Sequence, residues 1–363
     1  MNKRGFNFGA GPSMLPEPVL REVQAELINW HDLDMSLMEI GHRTPGFQEL
    51  LAEAESDLRQ LLDIPSDYEV LFLGGAARTQ FSMVPLNLLN EQQTSGYLIS
   101  GIWSKMAYEE AVKIKKAYCV ASSEEHEFSC VPEFDAGMIE KNTRYLFYTP
   151  NETVNGTRFP YTPNTGGVPV IADMTSCLLS EPINIRDYAL IFAGAQKNIS
   201  IAGLTIVIMQ GDLCAQQRLP RIPTMFDYQT HISHRSLYAT PPTFNCYVAA
   251  KMFKWVKAQG GVGALYEVNC KKAELLYGYI DASEFYQATI QPESRSLMNV
   301  CFKLPSPELE NLFVEEARAH HLYALKGHRM VGGIRASLYN AMPLEGVEQL
   351  IKFMQAFSED HTS

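Results

Sequence analysis

Apolar and polar positions alternate with two different periods along the first two thirds of this chain. A helical period over residues 47–62 is followed by a short apolar run at residues 69–73, and further short runs occur at residues 97–100, 145–148, 170–173, 190–193 and 204–209. Several of these runs are apolar throughout, which is typical of strands that are covered on both faces. The alternation extends over about residues 17–210 and predicts βα units around a mostly parallel sheet.

The pattern changes after Pro241 and Pro242. Long helical periods run over residues 243–259 and 262–280, with Gly260 and Gly261 between them. A strand at residues 299–303, a helix at 306–320, a strand at 334–337 and a helix at 344–357 follow. This order predicts a smaller α+β unit that packs against the first.

Length and charge restrict the classes of protein to which the chain can belong. Its 363 residues are enough for roughly two domains. The formal net charge of −11 disfavours non-specific binding to nucleic acid or to an anionic membrane, because both need a basic surface. We therefore expect neither kind of partner.

The cysteines and the apolar runs indicate the compartment. Seven cysteines are scattered with no C-x-x-C spacing, which predicts neither a disulfide framework nor a zinc site. The first residues contain no apolar run typical of a signal peptide, and no stretch approaches the length of a membrane span. We expect a cytoplasmic protein.

A lysine and an aspartate near the ends of two predicted strands are the first candidates for chemistry. Lys197 lies in a turn rich in glycine and alanine, and Asp173 ends an earlier predicted strand, 24 positions before Lys197. The carboxyl ends of strands line the ligand crevice in open α/β sheets. A lysine amine can form a Schiff base with the aldehyde of pyridoxal phosphate, and a carboxylate keeps the pyridine nitrogen protonated. Neither residue is specific alone, since most lysines are solvated and most strand-end aspartates belong to turns.

Two further features suit the same cofactor. Residues 74–80, which include Ala77 and Arg78, form a loop of small residues between a strand and a predicted helix, where main-chain N–H groups can approach a phosphate. The loop lacks the P-loop and dinucleotide-binding patterns, so it is a weak signal on its own. Trp103 follows the next strand and can stack on a planar ring, with an ordinary core tryptophan as the alternative.

The basic residues form two groups in this acidic chain. His42 and Arg43 lie near its beginning, and His328, Arg329 and Arg335 lie near its end. Guanidinium groups offer forked donors to carboxylate and phosphate, so these groups predict an anionic substrate, with surface salt bridges as the alternative. The other histidines lack the H-E-x-x-H spacing and cysteine companions, and we expect no metal site.

With these residues in view, the sequence resembles the phosphoserine aminotransferase family, within the class V aminotransferases of pyridoxal phosphate fold type I. The matching motifs run along nearly the whole chain: FNFGAGPSMLP at 6–16, MEIGHR at 38–43, VPLNLL at 84–89, YTPNETVNG at 148–156, GAQKNI at 194–199, AGLTIVI at 202–208, TPPTF at 240–244, KAELLYG at 272–278 and KGHRMVGGIRASLYNAMPLEGV at 326–347. The resemblance implies an α/β fold with a mostly parallel central sheet in a large cofactor-binding domain, residues 17–260. Residues 1–16 with 261–363 would form a smaller α+β domain.

The resemblance also implies an activity. The family exchanges an amino group between glutamate and 3-phosphohydroxypyruvate in serine biosynthesis, by a ping-pong transamination. Many bacterial members also act on a phosphorylated threonine-like intermediate of pyridoxine biosynthesis. The family is a homodimer with shared active sites, so the resemblance implies small-molecule substrates, pyridoxal 5′-phosphate as cofactor, and a second subunit that lends residues to each site.

The resemblance assigns a role to each candidate residue. Lys197 corresponds to the Schiff-base lysine, and Asp173 corresponds to the partner of the pyridine nitrogen. The other implied cofactor contacts are Ala77, Arg78, Trp103, Thr153 and Gln196, with Ala239 and Thr240 lent by the neighbouring subunit. The implied substrate contacts are His42, Arg43, His328, Arg329 and Arg335.

Three positions depart from the family pattern, and all of them concern the binding of the cofactor. Ala239 stands where asparagine is usual, Ser200 stands where glycine usually follows the GAQKNI motif, and Thr79 stands where glycine is common. We expect a lost side-chain contact to the cofactor phosphate at Ala239, an altered turn at Ser200 and a tighter phosphate loop at Thr79.

Other functions remain open on the sequence alone. Another fold-type I enzyme, such as an alanine:glyoxylate aminotransferase or a cysteine desulfurase, would not need His328 and Arg329 beside Arg335. A nicotinamide dehydrogenase would need a G-x-G-x-x-G that opens a helix, and the sequence lacks one. A non-catalytic protein of the same fold would not need to keep Lys197.

Overall fold

The structure is a computed structural model of the chain, and it describes residues 4–214 and 222–361. Its helices are α1 (Glu17–Glu26), α2 (Pro45–Leu62), α3 (Arg78–Leu88), α4 (Ile102–Ile114), α5 (Tyr228–Ser233), α6 (Thr243–Ala258), α7 (Gly261–Asp281), α8 (Pro307–Ala319) and α9 (Leu344–His361). Its strands are β1 (Phe6–Asn7), β2 (Tyr68–Gly74), β3 (Thr94–Ile99), β4 (Ala117–Ser122), β5 (Thr143–Tyr148), β6 (Asn151–Glu152), β7 (Thr157–Arg158), β8 (Val170–Asp173), β9 (Leu190–Gly194), β10 (Leu204–Gln210), β11 (Gln287–Ala288), β12 (Asn299–Lys303), β13 (Leu322–Tyr323) and β14 (Ile334–Ser337).

The central sheet has seven strands in the order β2-β10-β9-β8-β5-β3-β4. The neighbouring pairs from β9 to β4 are parallel, whereas β10 is antiparallel to both of its neighbours, β9 and β2. The predicted α/β class with a mostly parallel central sheet is therefore confirmed.

Alternate residues of the central strands face two different hydrophobic cores. In β2, Val70 and Phe72 pack in a core with α2 and α6, whereas Leu71 and Leu73 pack in a core with α3 and α4. Successive side chains of a strand point to opposite faces of the sheet. Because both faces are covered, the strands are apolar throughout.

A third hydrophobic core lies in the C-terminal third of the chain. It combines Phe6 and Phe8 with residues of α7, β12, α8 and α9, and β1 pairs in parallel with β13. Val262 and Leu265, in the first turns of α7, belong instead to the core with α2 and α6. The division into residues 17–260 and residues 1–16 with 261–363 stays a prediction, which the third core supports.

The observed elements differ from the predicted ones mainly at their ends. The last helix extends to His361, and the strand expected at residues 97–100 is Thr94–Ile99. The sequence analysis missed β4, an edge strand of the sheet whose residues are at most partly buried, although five of its six residues are apolar. None of the helices in the described residues is long and apolar enough to cross a membrane.

The carboxyl ends of the parallel strands carry the candidate residues. β2 leads into α3, which begins at Arg78, and β3 leads into α4, which holds Trp103 in its first turn. β8 ends at Asp173, and the turn after β9 holds Lys197. The sheet therefore brings these side chains to one edge, as expected for an open α/β sheet.

Candidate active site

A cavity of about 290 Å³ lies at this edge of the sheet. Nine of the residues predicted from the sequence line it: Ala77, Arg78, Trp103, Thr153, Asp173, Gln196, Lys197, His328 and Arg335. Among the described lining residues, Asp173 is the one carboxylate, and it faces several basic side chains. The cavity therefore suits an anionic ligand.

Lys197 is held in the turn between β9 and β10. It is 6% exposed, and its Nζ forms a hydrogen bond with Oγ1 of Thr153. The N-terminal segment packs on this turn, because Oγ of Ser13 donates to the carbonyl of Lys197 and the N–H of Ser13 donates to Gln196 O (3.0 Å). Burial lowers the pKa of Lys197 to about 8, although the Asp173 carboxylate opposes that effect. At any pH below that of an ordinary lysine's titration, a larger fraction of this amine is therefore unprotonated.

Asp173 lies next to this turn because β8 and β9 are neighbours, with Asp173 opposite Phe192 in the register. It is 5% exposed, and its Oδ1 accepts a hydrogen bond from the N–H of Thr175 (2.9 Å). Burial raises the pKa of Asp173, while hydrogen bonds from Thr175 and the charge of Lys197 lower it. A cationic group placed in the cavity would stabilise the ionised carboxylate further.

Trp103 and Arg78 form one wall of the cavity. The guanidinium carbon of Arg78 lies 4.7 Å from the centroid of the Trp103 ring, a cation–π distance. Nε1 of Trp103 and Nε of Arg335 are buried and have no hydrogen-bond partner within the described residues. Buried donors are rarely left unpaired in proteins, so both are available to acceptor atoms of a ligand.

The basic side chains in and around the cavity affect the pKa of His328. Burial lowers the pKa of His328, and the cations of Arg335, Arg329 and Arg78 lower it further. Nη1 of Arg335 donates a hydrogen bond to Thr153 O (3.2 Å). An anion bound among these groups would relieve their mutual repulsion and would favour the charged form of His328.

Several lining residues were missed by the sequence analysis. Gly11 has φ +144°, and a Cβ there would lie 3.3 Å from Cγ of Gln196, so glycine allows the N-terminal segment to approach the Lys197 turn. Its place in the FNFGAGPSMLP motif was the available signal. The other missed lining residues are Ala10, Ala76, Phe81, Thr149, Asn151, Val154, Thr175 and Ser176.

Glu152 was also missed, although it does not line the cavity. It is completely buried, and its carboxylate accepts hydrogen bonds from the N–H groups of Trp103 and Ser104. Burial raises the pKa of Glu152 to about 7, whereas those hydrogen bonds oppose the increase. Its position in the YTPNETVNG motif was the one signal that could have identified it.

Five predicted site residues lie outside the cavity of the single chain. Arg43 and Arg329 are exposed, and His42 is partly buried, with its Nε2 unpaired within the described residues. Ala239 and Thr240 line a second cavity of about 280 Å³, which Thr79 also lines. The roles of these five residues stay predictions.

Ser200, where the resemblance leads us to expect glycine, fits into the Lys197 turn. Its N–H donates to Ala195 O (2.6 Å), and its Oγ donates to Asn245 O (2.8 Å) at the start of α6. The side chain therefore ties the turn to α6. Whether it alters the turn, as expected from the sequence, stays a prediction.

The chain matches known families and proteins over nearly its full length. The model of the family described as aminotransferase class-V matches residues 5–350. A phosphoserine aminotransferase of Legionella pneumophila (strain Lens) is 58% identical over 361 residues, which are 99% of this chain and 100% of that protein. A phosphoserine aminotransferase of Bacillus cereus is 46% identical over 355 residues, 98% of each chain.

Solved structures show the same relationship. A phosphoserine aminotransferase from Bacillus circulans subsp. alkalophilus is 42% identical, with a TM-score of 0.95 over 98% of this chain and 99% of that chain. A PLP-bound phosphoserine aminotransferase from Trichomonas vaginalis is 36% identical, with a TM-score of 0.93 over 97% of this chain and 100% of that chain. The predicted fold of the pyridoxal phosphate-dependent aminotransferases is confirmed. The chain therefore belongs to the class-V aminotransferase family, and the protein is an aminotransferase.

Proposed function

We propose that the protein transfers the amino group reversibly between L-glutamate and 3-phosphohydroxypyruvate, giving O-phospho-L-serine and 2-oxoglutarate, with pyridoxal 5′-phosphate as cofactor. The observation that carries this proposal is a single cavity that joins a buried lysine amine, a buried carboxylate, an indole ring and basic side chains. The chain's similarity to the phosphoserine aminotransferases of Legionella pneumophila and Bacillus cereus, at 58% and 46% identity, supports phosphoserine as the substrate.

The residues of the cavity fit this cofactor. Lys197 would bind the aldehyde carbon of the cofactor, Asp173 would pair with its ring nitrogen, and Trp103 would stack on one face of its ring. The main-chain N–H groups at the start of α3, at Ala77 and Arg78, would hold its phosphate, because the first N–H groups of a helix lack intrahelical partners. Thr153 and Gln196 would be its polar neighbours.

Other unpaired atoms in the cavity support the fit. Oγ1 of Thr149 and Nε1 of Trp103 are both buried in the cavity wall and have no partner in the described part of the chain. A phosphorylated hydroxypyridine carries several acceptor oxygens, so a bound cofactor can satisfy donors of this kind.

The chain supplies the proton transfers and the orientation of the substrate. When bound, pyridoxal phosphate supplies an aldehyde that takes up the amino group and a ring that withdraws electrons from the substrate Cα. Lys197, as a free amine, would take the proton from the substrate Cα and would release it again to complete the transfer of the amino group. Asp173 balances the positive charge of the ring nitrogen. Arg335 binds the α-carboxylate of the substrate with a forked pair of donors.

The phosphate of the substrate needs cations beyond Arg335. His328 lines the cavity, and Arg329 follows it in the same loop. His42 and Arg43 would complete the phosphate site, and because Arg43 lies outside the cavity of its own chain, a second subunit would have to bring it there. These cations would bind the phosphorylated substrate more tightly than an unphosphorylated keto acid.

Exposed apolar side chains support a homodimer with shared sites. Met38, four residues before His42, is 62% exposed, and three more exposed apolar side chains precede it in the same segment: Ile28, Leu33 and Met35. A second group of exposed apolar side chains lies near Ala239: Met225, Phe226 and Tyr238. Exposed apolar patches of this kind mark interaction surfaces. In the dimer, Ala239 and Thr240 would approach the cofactor phosphate of the partner.

Two finer parts of the proposal follow from the same chemistry. A phosphorylated threonine-like intermediate of pyridoxine biosynthesis carries the same phosphate and α-carboxylate, so the site would accept it as a second substrate. We place the enzyme in the cytoplasm, where seven cysteines without paired spacing stay reduced.

The experiment that tests the proposal compares amino acceptors. The purified protein, saturated with pyridoxal phosphate and glutamate, is given 3-phosphohydroxypyruvate, pyruvate or glyoxylate, and 2-oxoglutarate formation is measured. We expect kcat/KM to be highest by far for 3-phosphohydroxypyruvate. A preference for glyoxylate or pyruvate would assign the protein to another activity of the class-V family.

A further inference from the structure

A carboxylate that lies outside the cavity accepts hydrogen bonds from the main chain at the start of α4. Glu152, the second residue of β6, is completely buried. Its Oε2 accepts a hydrogen bond from the N–H of Trp103 (2.9 Å), and its Oε1 accepts one from the N–H of Ser104 (2.8 Å). One side chain therefore satisfies two of the N–H groups that the start of a helix leaves unpaired.

The turn is packed tightly around this carboxylate. A Cβ at Gly101 would lie 2.5 Å from Cδ of Glu152, so any larger residue there would displace the Glu152 side chain. Oγ of Ser104 accepts hydrogen bonds from the N–H groups of Ser100 (3.0 Å) and Gly101 (3.2 Å). The main chain that carries Trp103 is thereby fixed against β6.

Glu152 also lies close to the charged groups of the cavity. Its two sequence neighbours, Asn151 and Thr153, line the cavity, and Thr153 contacts Lys197. Burial raises the pKa of Glu152, and the Asp173 carboxylate raises it further. Burial lowers the pKa of Lys197, and the Glu152 carboxylate is among the charges that oppose this effect.

We propose that Glu152 is a positioning residue for the reaction, which holds the first turn of α4 so that the indole of Trp103 presents one fixed face to the cofactor. The inference rests on the proposed function, because it requires a planar cofactor in the cavity. A carboxylate suits the task, since each oxygen accepts one main-chain N–H. Glutamine has a single accepting oxygen and would turn an NH₂ group toward the second N–H.

The test is a double-mutant cycle on cofactor binding. The Kd of pyridoxal phosphate is measured from its absorbance, for the wild-type apoprotein, Glu152→Gln, Trp103→Ala and the double variant. We expect Glu152→Gln to raise Kd about tenfold, which corresponds to the loss of the stacking contact between the indole and the cofactor ring. Because Glu152 acts through the indole, we expect little further increase in the Trp103→Ala background.

Two more measurements separate positioning from a general loss of stability. Ser306→Ala is the matched control, because Oγ of Ser306 accepts the N–H of Leu309 (3.3 Å) at the start of α8 and does not line the cavity. It should lower the Tm and leave Kd unchanged. Asn155→Ala removes the acceptor of the Ile102 N–H (3.2 Å) in the α4 turn, and we expect a smaller rise in Kd that Trp103→Ala again suppresses.

The possible results are distinct. An unchanged Kd in Glu152→Gln, or an equal increase in the wild-type and Trp103→Ala backgrounds, would overturn the inference and leave the proposed function intact. A wild-type protein that binds no pyridoxal phosphate would overturn the proposed function, and this inference with it. Reduced quenching of tryptophan fluorescence by the cofactor in Glu152→Gln, at saturation, would support a displaced indole.

Discussion

Replacing Arg335 with glutamine should have two separate effects on the reaction. In the structure, Nη1 of Arg335 donates to Thr153 O (3.2 Å), and its Nε is buried without a partner within the described residues. A guanidinium has five N–H donors, so most of them remain for a substrate carboxylate. Losing a charge-assisted contact costs about 1.5–3 kcal/mol, which is roughly 10- to 150-fold in affinity. Glutamate and phosphoserine both carry the α-carboxylate, so we expect a similar loss for both.

The second effect of Arg335→Gln concerns the titration of Lys197. Burial lowers the pKa of Lys197 to about 8, and the Arg335 cation contributes to that decrease. Only the unprotonated amine attacks an aldehyde, so uptake of pyridoxal phosphate by the apoprotein should accelerate as the pH approaches 8 and level off above it. Removing the cation raises the pKa of Lys197, so the same increase in rate should occur at higher pH.

The assay follows each half-reaction through the visible absorption band of the bound cofactor, with glutamate or phosphoserine as the amino donor. Arg329→Ala is the matched control, because Arg329 is exposed and is proposed to contact only the phosphate of the substrate and not its α-carboxylate. It should weaken the reaction with phosphoserine much more than the reaction with glutamate. The reasoning about Arg335 is refuted if Arg335→Gln slows the half-reaction with only one of the two donors. It is also refuted if cofactor uptake by Arg335→Gln depends on pH in the same way as uptake by the wild type.

Three further substitutions test the remaining roles. Lys197→Ala should abolish transamination while circular dichroism stays unchanged, and residual turnover with glutamate and 3-phosphohydroxypyruvate would contradict the role of the amine. Asp173→Asn should reduce turnover more than cofactor affinity, because the lost carboxylate stabilises the protonated ring nitrogen; unchanged turnover at full cofactor occupancy would argue against it. A mixture of Lys197→Ala and Arg43→Ala subunits should be more active than either variant alone, because a hybrid dimer would contain one intact shared site. A mixture no more active than the two variants measured separately would count against the shared site.

Residues at strand ends could be predicted from the sequence because local pattern and sheet topology agree there. The apolar runs identified β8 and β9, and the carboxyl ends of parallel strands line one crevice, so Asp173 and Lys197 were both expected there. The structure makes the two strands neighbours. The motif at residues 326–347 gave the basic groups that face them. Nine predicted residues therefore line one cavity.

Other features depend on contacts that no local pattern encodes. Glu152 binds N–H groups of α4, whose residues come 48 and 49 positions earlier in the chain. β1 is two residues long and pairs with β13 near the other end of the chain. His42 and Arg43 were placed in the site by resemblance, and neither lines the cavity of the single chain.

The most direct test of the proposed transamination is an absorption spectrum of the purified protein with pyridoxal phosphate. We expect a visible band that needs Lys197 and that both glutamate and phosphoserine bleach, with release of the corresponding keto acid. Alanine, which carries no phosphate or second carboxylate, should leave the band nearly unchanged. A band that phosphoserine does not bleach would contradict the proposed substrate, and the absence of any band that depends on Lys197 would contradict the proposed chemistry altogether.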